Sequence, residues 1–386
     1  MFRRFLIVVA MLLAASGAAI SASNATPEAT DLLRKGDFQH LEQYFSGIQG
    51  RFRSGQASAE ELRNAFRAFY PTDRSLAPKY DAWVNKYPNS YAARVARGIY
   101  YKKIGYEERG GNYVSQTSEM QLANMDQAMQ NAIRDFGDSI KMDQKPFLSY
   151  FNMIDITSSY AGIAYTRQIY DHAIRLAPTF VDVRRKYMLA LEGKWGGSLE
   201  QMKEFLDECK RESLPKAQLD ALESMVYEDQ ALTLEQAGDH AGAESAYRKA
   251  IELGGTDCDT CVALSLSNVL VGENKIADAI PFLNRYVADH PLDMSILEWR
   301  ASLYLMIRKV PEAMADLTKA ADAGEPAGQN QLGVLYMTGV PELMNPDAAK
   351  GVAWLRQAAA QGNVDAKRNL PGAESKLASQ SAAKSH

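Results

Sequence analysis

Apolar positions along the chain fall mostly at helical spacing. After Gly36, Asp37 is placed to cap a helix whose Phe38, Leu41, Tyr44, Phe45 and Ile48 share one face. Ser58-Ala-Glu-Glu61 is a capping-box pattern, in which the hydroxyl and the carboxylate each accept a free backbone N–H. It opens a helix with Leu62, Phe66 and Phe69 inward, stopped at Pro71. A further helix over about 76–86 ends at Tyr87-Pro88, and Ser90 caps the next, over 91–109. There Ala93, Ala96, Gly98, Tyr101 and Gly105 keep the rhythm of a helix pair whose small residues allow close approach, until Gly110-Gly111 breaks it. The pattern predicts a long helix over about 115–140 and another over 165–176 with Tyr170 and Ala173 inward. A third covers 181–191. After Lys194-Trp195-Gly196-Gly197, Ser198 and Gln201 form a second capping-box pattern.

From about Met225 to Leu370 the stripes become periodic. Ala243, Ala279 and Ala313 recur at steps of about 35 residues, the length of a helix–turn–helix repeat. Around them lie Ala231, Gly238, Tyr247 and Ala250 in one unit, and Ser267, Leu270, Leu283 and Pro291 in the next. Ala301, Tyr304, Leu317, Ala320 and Pro326 belong to the third. These units resemble tetratricopeptide repeats, which place small residues where the paired helices touch. Gly255 in place of the terminal Pro, and Tyr286 where a small residue is usual, depart from that pattern. Leu332, Gly333, Tyr336, Gly339, Asp347, Lys350, Trp354, Ala358, Ala359, Gly362, Ala366 and Leu370 resemble a Sel1-like repeat, with Gly351 where Ala is usual. The fold these resemblances imply is all-α, a right-handed α-solenoid of helix–turn–helix repeats. Residues 31–210 resemble a bacterial family of unknown function through Trp195-Gly-Gly-Ser198 followed by Met202. Gly36-Asp37-Phe38 with Leu41, Pro88 with Ser90, and Arg109-Gly110 belong to the same resemblance, which implies a fold and little chemistry.

The N-terminus changes the picture of where the protein works. Arg3 and Arg4 precede an unbroken apolar run from Phe5 to Ala15, then small residues to Ala25, the layout of a secretory signal peptide. Cleavage could follow Ser21, Ser23 or Ala25; an uncleaved anchor is the alternative, although the run falls short of the roughly 20 residues of a span. The chain is therefore read as a signal peptide over 1–25 and an N-terminal helical domain of weak repeat character over 26–215. Tetratricopeptide-like repeats over 216–326, a Sel1-like repeat over 327–370 and a disordered tail over 371–386 follow. A periplasmic or secreted location is expected, with no integral membrane span after cleavage. At 46% hydrophobic and 23% charged residues, with a net charge of −4, the composition is that of a soluble chain. No Lys/Arg cluster in the sequence is large enough for a nucleic-acid face, so no nucleic acid is expected as partner.

Chemistry is sparse. There is no Gly-rich phosphate loop, Gly-x-Ser-x-Gly elbow or His-Glu-x-x-His pattern. His40, His172, His240, His290 and His386 are far apart. No cofactor, metal or catalytic residue is expected. Cys258-Asp-Thr-Cys261 lacks the following His of a haem site, since Val262 stands there, and three cysteines give poor support for zinc. In an oxidising compartment Cys258 and Cys261 are candidates for a disulfide, with pairing of Cys209 to one of them as the competing case. By resemblance to tetratricopeptide arrays, Glu228, Glu235, Asn268, Glu298 and Ser302 face the groove, an acidic and polar set suited to a basic or polar protein or peptide. Leu264 stands where the carboxylate-gripping Lys of some such arrays would be. The expected function is an exported, non-catalytic interaction scaffold or adaptor of the cell envelope. An immunity protein that binds a toxin, and a hydrolytic or thiol enzyme housed in 31–210, are the alternatives.

Overall fold

The structure, a computed structural model, describes residues 25–110, 117–254 and 259–384. Its described residues are helical apart from turns and one isolated β-bridge between Val340 and Met344. They divide into two compact units: residues 25–230 with 253–254, and residues 231–252 with those from 259 onward. The proposed signal segment, Gly255 and Cys258 lie outside the described residues.

Unit 1 begins with α1 (Ala25–Lys35), α2 (Phe38–Arg53), α3 (Ala59–Phe66), α4 (Ala77–Lys86) and α5 (Tyr91–Arg109). Local chemistry sets their ends. Gly36 takes φ +75°, and Asp37 accepts from the His40 N–H. Ser58 and Glu61 exchange both capping-box bonds, at 3.0 and 2.7 Å. Phe45, Phe66, Phe69 and Trp83 pack edge-on or tilted at 4.7–6.2 Å, and the Trp83 indole N–H donates to Glu42 at 3.1 Å. Tyr44, expected inward, is instead 46% exposed, because it falls at the edge of the α2 stripe and Phe45 takes the core position.

Along α5 runs α6 (Glu119–Ile140), which starts four residues later than the sequence suggested because Ser118 and Gln121 form its capping box. A Cβ on Gly98 would sit 2.8 Å from the Phe136 ring, and one on Gly105 would sit 2.9 Å from Met129 Cε. The small residues thus set the spacing of this pair. Next comes α7 (Phe147–Tyr160), which the stripe pattern does not predict. Phe147, Leu148, Phe151, Ile154 and Ile156 are buried around its circumference, so it has no polar face for a periodicity to reveal. The unit continues with α8 (Ile163–Leu176), α9 (Val181–Ala190), α10 (Leu199–Arg211) and α11 (Lys216–Gln236), the last running on into the second unit.

Unit 2 contains α12 (His240–Leu253), α13 (Asp259–Gly272), α14 (Ile276–Asp289), α15 (Met294–Met306) and α16 (Val310–Asp322). It closes with α17 (Pro326–Thr338), α18 (Ala348–Ala360) and α19 (Val364–Lys384). From α13 onward, consecutive helices pack as neighbours. Ala243, Ala279 and Ala313 are all fully buried, as small residues at a helix contact must be. One turn recurs at the same step. Gly238, Asn274 and Arg308 have φ of +79°, +60° and +60°, and the following N–H returns to a carbonyl five residues back in each case.

Two departures from the repeat pattern acquire reasons here. The Tyr286 hydroxyl donates to Asp293 at 3.0 Å and its ring stacks on His290, tying the end of α14 to the residue that caps α15. At Gly351 a Cβ would sit 2.6 Å from Met337, so the larger Met on α17 occupies the room an Ala would need. The expected disordered tail differs as well: α19 continues through Pro371 to Lys384. Ala373 is buried, Lys376 donates to the Met337 carbonyl at 2.9 Å, and Glu374 accepts from Arg356. A Ser-, Ala- and Lys-rich stretch offers little to a core, yet its helix propensity suffices once one face docks.

Candidate functional site

The five groove candidates fall in both units. Glu228 belongs to unit 1 and is half-buried. In unit 2, Glu235 accepts from the Tyr247 hydroxyl at 3.0 Å, which gives it a structural role. Asn268 and Ser302 are exposed on α13 and α15, and the Ser302 hydroxyl donates to the Glu298 carbonyl at 3.1 Å. Glu298 is half-buried beside the start of α17. Partial burial raises its pKa and the nearby Glu325 adds to the effect, while a bond from the Gly328 N–H opposes them. Glu298 and Glu325 line a shallow cleft of about 620 Å³ with Leu292, Met294, Pro326 and Asn363. Leu292 is 81% exposed there.

The Trp-Gly-Gly-Ser element in unit 1 turns out to be a chain-turning device. Gly196 ends a short 3-10 turn at φ +90°, and Gly197 passes so close to the Leu191 carbonyl that any Cβ would strike backbone. Ser198 then caps α10 by accepting from the Gln201 N–H. Trp195 is half-buried beside them. Next to this turn Glu192 pairs with Lys194 at 2.5 Å, and burial raises the pKa of Glu192 and of Asp229.

Sequence reasoning missed a concentration of buried charge in unit 1. Residue Asp155 on α7 accepts from Lys102 on α5 at 2.7 Å and from Lys186 on α9. Lys102, only 4% exposed, also donates to Asn152 at 2.7 Å, one turn back along α7. Lys186 Nζ lies 4.5 Å from the centre of the Phe151 ring. Lys103, the next residue on α5, holds its Nζ 4.4 Å over the Tyr70 ring and has no hydrogen-bond acceptor among the described residues. Two ammonium groups thus grip one carboxylate, and a third, that of Lys103, lies within electrostatic reach of it. Burial works against the charge on Asp155, but Lys102 and Lys186 outweigh it and hold its pKa well below the usual range. Burial, reinforced by Lys102, Lys186 and Arg67, pushes Lys103 down to about 8. The signal was not available from spacing, because residues 102, 155 and 186 share no motif and one of the three helices, α7, has no stripe.

The remaining candidates are quickly placed. Cys209 is a free, buried thiol, pushed up to about 12 by burial, so the cross-link between Cys209 and the other cysteines is not formed. The Cys258–Cys261 pairing involves a residue outside the described set. His172 stacks on Tyr150 and His290 on Tyr286, and His40 bonds Asp37. Among the described residues no group of His, Cys, Asp and Glu is arranged to hold a metal ion, and no helix is long and apolar enough to cross a membrane.

No family model matches the chain, and no curated protein does. Solved structures of helical-repeat proteins do align with it, at low similarity. The tetratricopeptide protein YrrB, described as having an unusual peptide-binding site, is 17% identical with a TM-score of 0.28, over 48% of this chain and 91% of its own. A human IFIT1 dimer with PPP-AAAA is 11% identical with a TM-score of 0.42, over 92% and 85%. The protein c5321 is a protective antigen of uropathogenic Escherichia coli strains with an SLR fold. It is 14% identical with a TM-score of 0.31, over 89% and 81%. At these scores the reading of the fold rests on the chain's own helices and turns.

Proposed function

We propose that the protein is an exported helical-repeat scaffold or adaptor that binds protein or peptide partners in the periplasm or outside the cell, without catalysis. One observation carries the reading: unit 2 builds the same alanine contact and the same left-handed turn repeatedly, leaving polar helix positions such as Asn268 and Ser302 exposed. Repeated helix pairs present their helix faces as an extended surface, and such surfaces serve recognition. Export is supported by the charged, apolar and small-residue order of the first 25 residues. Right-handed superhelical stacking of tetratricopeptide-like units, closed by a Sel1-like unit, is the architecture in keeping with the motif positions.

The test is recovery of partners by the tagged mature protein from its native envelope, with and without reductant. The reading expects one or more specific proteins, retained at moderate salt. Recovery of none would count against it. Reductant sensitivity would separately support the Cys258–Cys261 bridge, which remains part of the proposal.

A further inference from the structure

The lysine–aspartate cluster of unit 1 holds more positive charge than its fold can use. Lys102 is committed: two donor directions go to Asn152 and Asp155 at 2.7 Å each. Lys186 spends one donor on Asp155 and rests against Phe151. Among the described residues Lys103 has no acceptor, and the face of Tyr70 meets it. Lys102 and Lys186 share one carboxylate, Lys103 lies within electrostatic reach of all three, and Arg67 stands over the same Tyr70 ring, so positive charge is in excess in this half-buried place. A structural ion pair needs no third lysine, and an uncompensated cation in such a place is costly.

We propose that this cluster receives a carboxylate carried by an acidic peptide, with Lys103 and Lys186 donating to its two oxygens. The inference rests on the reading of the protein as a binder of protein or peptide partners and adds a location and a ligand chemistry to it. Asp155 fixes Lys102 and Lys186, so one of the two donors is oriented before the ligand arrives. The rings of Tyr70 and Phe151 flank the donors and suit the carbon stem of an acidic side chain. Asp155 stays in the cluster beside the ligand, so a singly charged carboxylate meets less repulsion from it than a doubly charged phosphate. The lowered affinity of Lys103 for its proton agrees with this picture: the empty cluster repels its own third charge, and a bound carboxylate would relieve that.

The experiment is calorimetric titration of the purified full chain with an acetylated, amidated tri-glutamate peptide, its tri-glutamine counterpart, and inorganic phosphate. The proposal expects saturable binding of tri-glutamate and none of tri-glutamine. Lys103→Met should weaken the binding about tenfold or more, the usual worth of a charge-assisted bond, and Lys103→Arg should retain most of it. Because Lys103 makes no hydrogen bond among the described residues, these variants are expected to fold, and a thermal melt checks that they do. Three results would overturn the proposal: no saturation by tri-glutamate, equal affinity in Lys103→Met, or binding of phosphate with tri-glutamate inert. Any of these leaves recovery of envelope partners free to succeed, so the two readings fail separately.

Discussion

The two units solve the same problem by different means. Unit 2 repeats one contact and one turn. Buried alanines mark its helix contacts, the left-handed position recurs at 238, 274 and 308, and its main inward charge pair, Arg300 with Asp316, is bidentate at 2.8 and 2.7 Å. Unit 1 repeats little. It fills its interior with rings, notably Phe45, Phe66, Phe69, Trp83 and Tyr80, and places whole charge clusters between helices. Asp135, 1% exposed, is gripped by Arg94 and Arg97, and Asp155 by Lys102 and Lys186. The first cluster is matched by Asp81 on the far side of Arg97 at 2.8 Å and reads as structure. The second has a lysine to spare. Regular repeats make a surface with few special groups, whereas an irregular bundle can bring chemically pointed residues together from distant parts of the chain.

The largest effect that would sharpen this contrast is in the aromatic interior. Trp83→Ala removes a fully buried ring and its bond to Glu42, and should cost about 3–5 kcal/mol in urea unfolding. Unit 2 should suffer from the opposite change. Ala279→Leu forces the extra bulk of an isopropyl group into a closed helix contact and should cost about 1–3 kcal/mol; a neutral result would show that the alanine step does not mark tight packing. Smallest is a gain. Arg308 sits at φ +60°, where glycine is free of the steric cost, so Arg308→Gly should stabilise by about 1 kcal/mol. Its exposed contacts to the Pro341 carbonyl and Glu342 offset little of that. Loss of stability there would mean that those contacts, and not the backbone, decide the turn.

Much of the fold was legible because its determinants are local. Ser58 with Glu61, Ser90 and Asp37 announce helix starts, and Gly36 and Gly110 announce ends, by chemistry that needs no tertiary context. Ala243, Ala279 and Ala313 were readable because a repeat shows itself by self-comparison. The rest of the fold depends on tertiary context. Helix α7 is buried around its circumference and so has no stripe, and the helical tail depends on a docking face that composition does not display. The lysine cluster needs α5, α7 and α9 to be in place before its charges meet. No spacing rule connects Lys103 to Tyr70 or Lys186 to Asp155.

On the proposal above, Lys103 is kept for a ligand and not for the fold, which fixes the sign of its effect on stability. With its pKa pushed down to about 8 from an ordinary 10.5, Lys103 binds its proton less readily in the folded chain than in the unfolded one. The unfolded state therefore holds more protons between about pH 8 and 10.5. From this group the wild type gains stability as pH rises through that window, and below it bears the full cost of the charge. Solvent screening at a half-buried site holds that cost to on the order of 1 kcal/mol. The decisive measurement is the urea midpoint at pH 7 and the tri-glutamate affinity, both taken on the same Lys103→Met protein. A lysine kept for a ligand gives, on removal, a higher midpoint than wild type together with an affinity about tenfold weaker. A lower midpoint with unchanged affinity would contradict it and make Lys103 one more structural residue of unit 1.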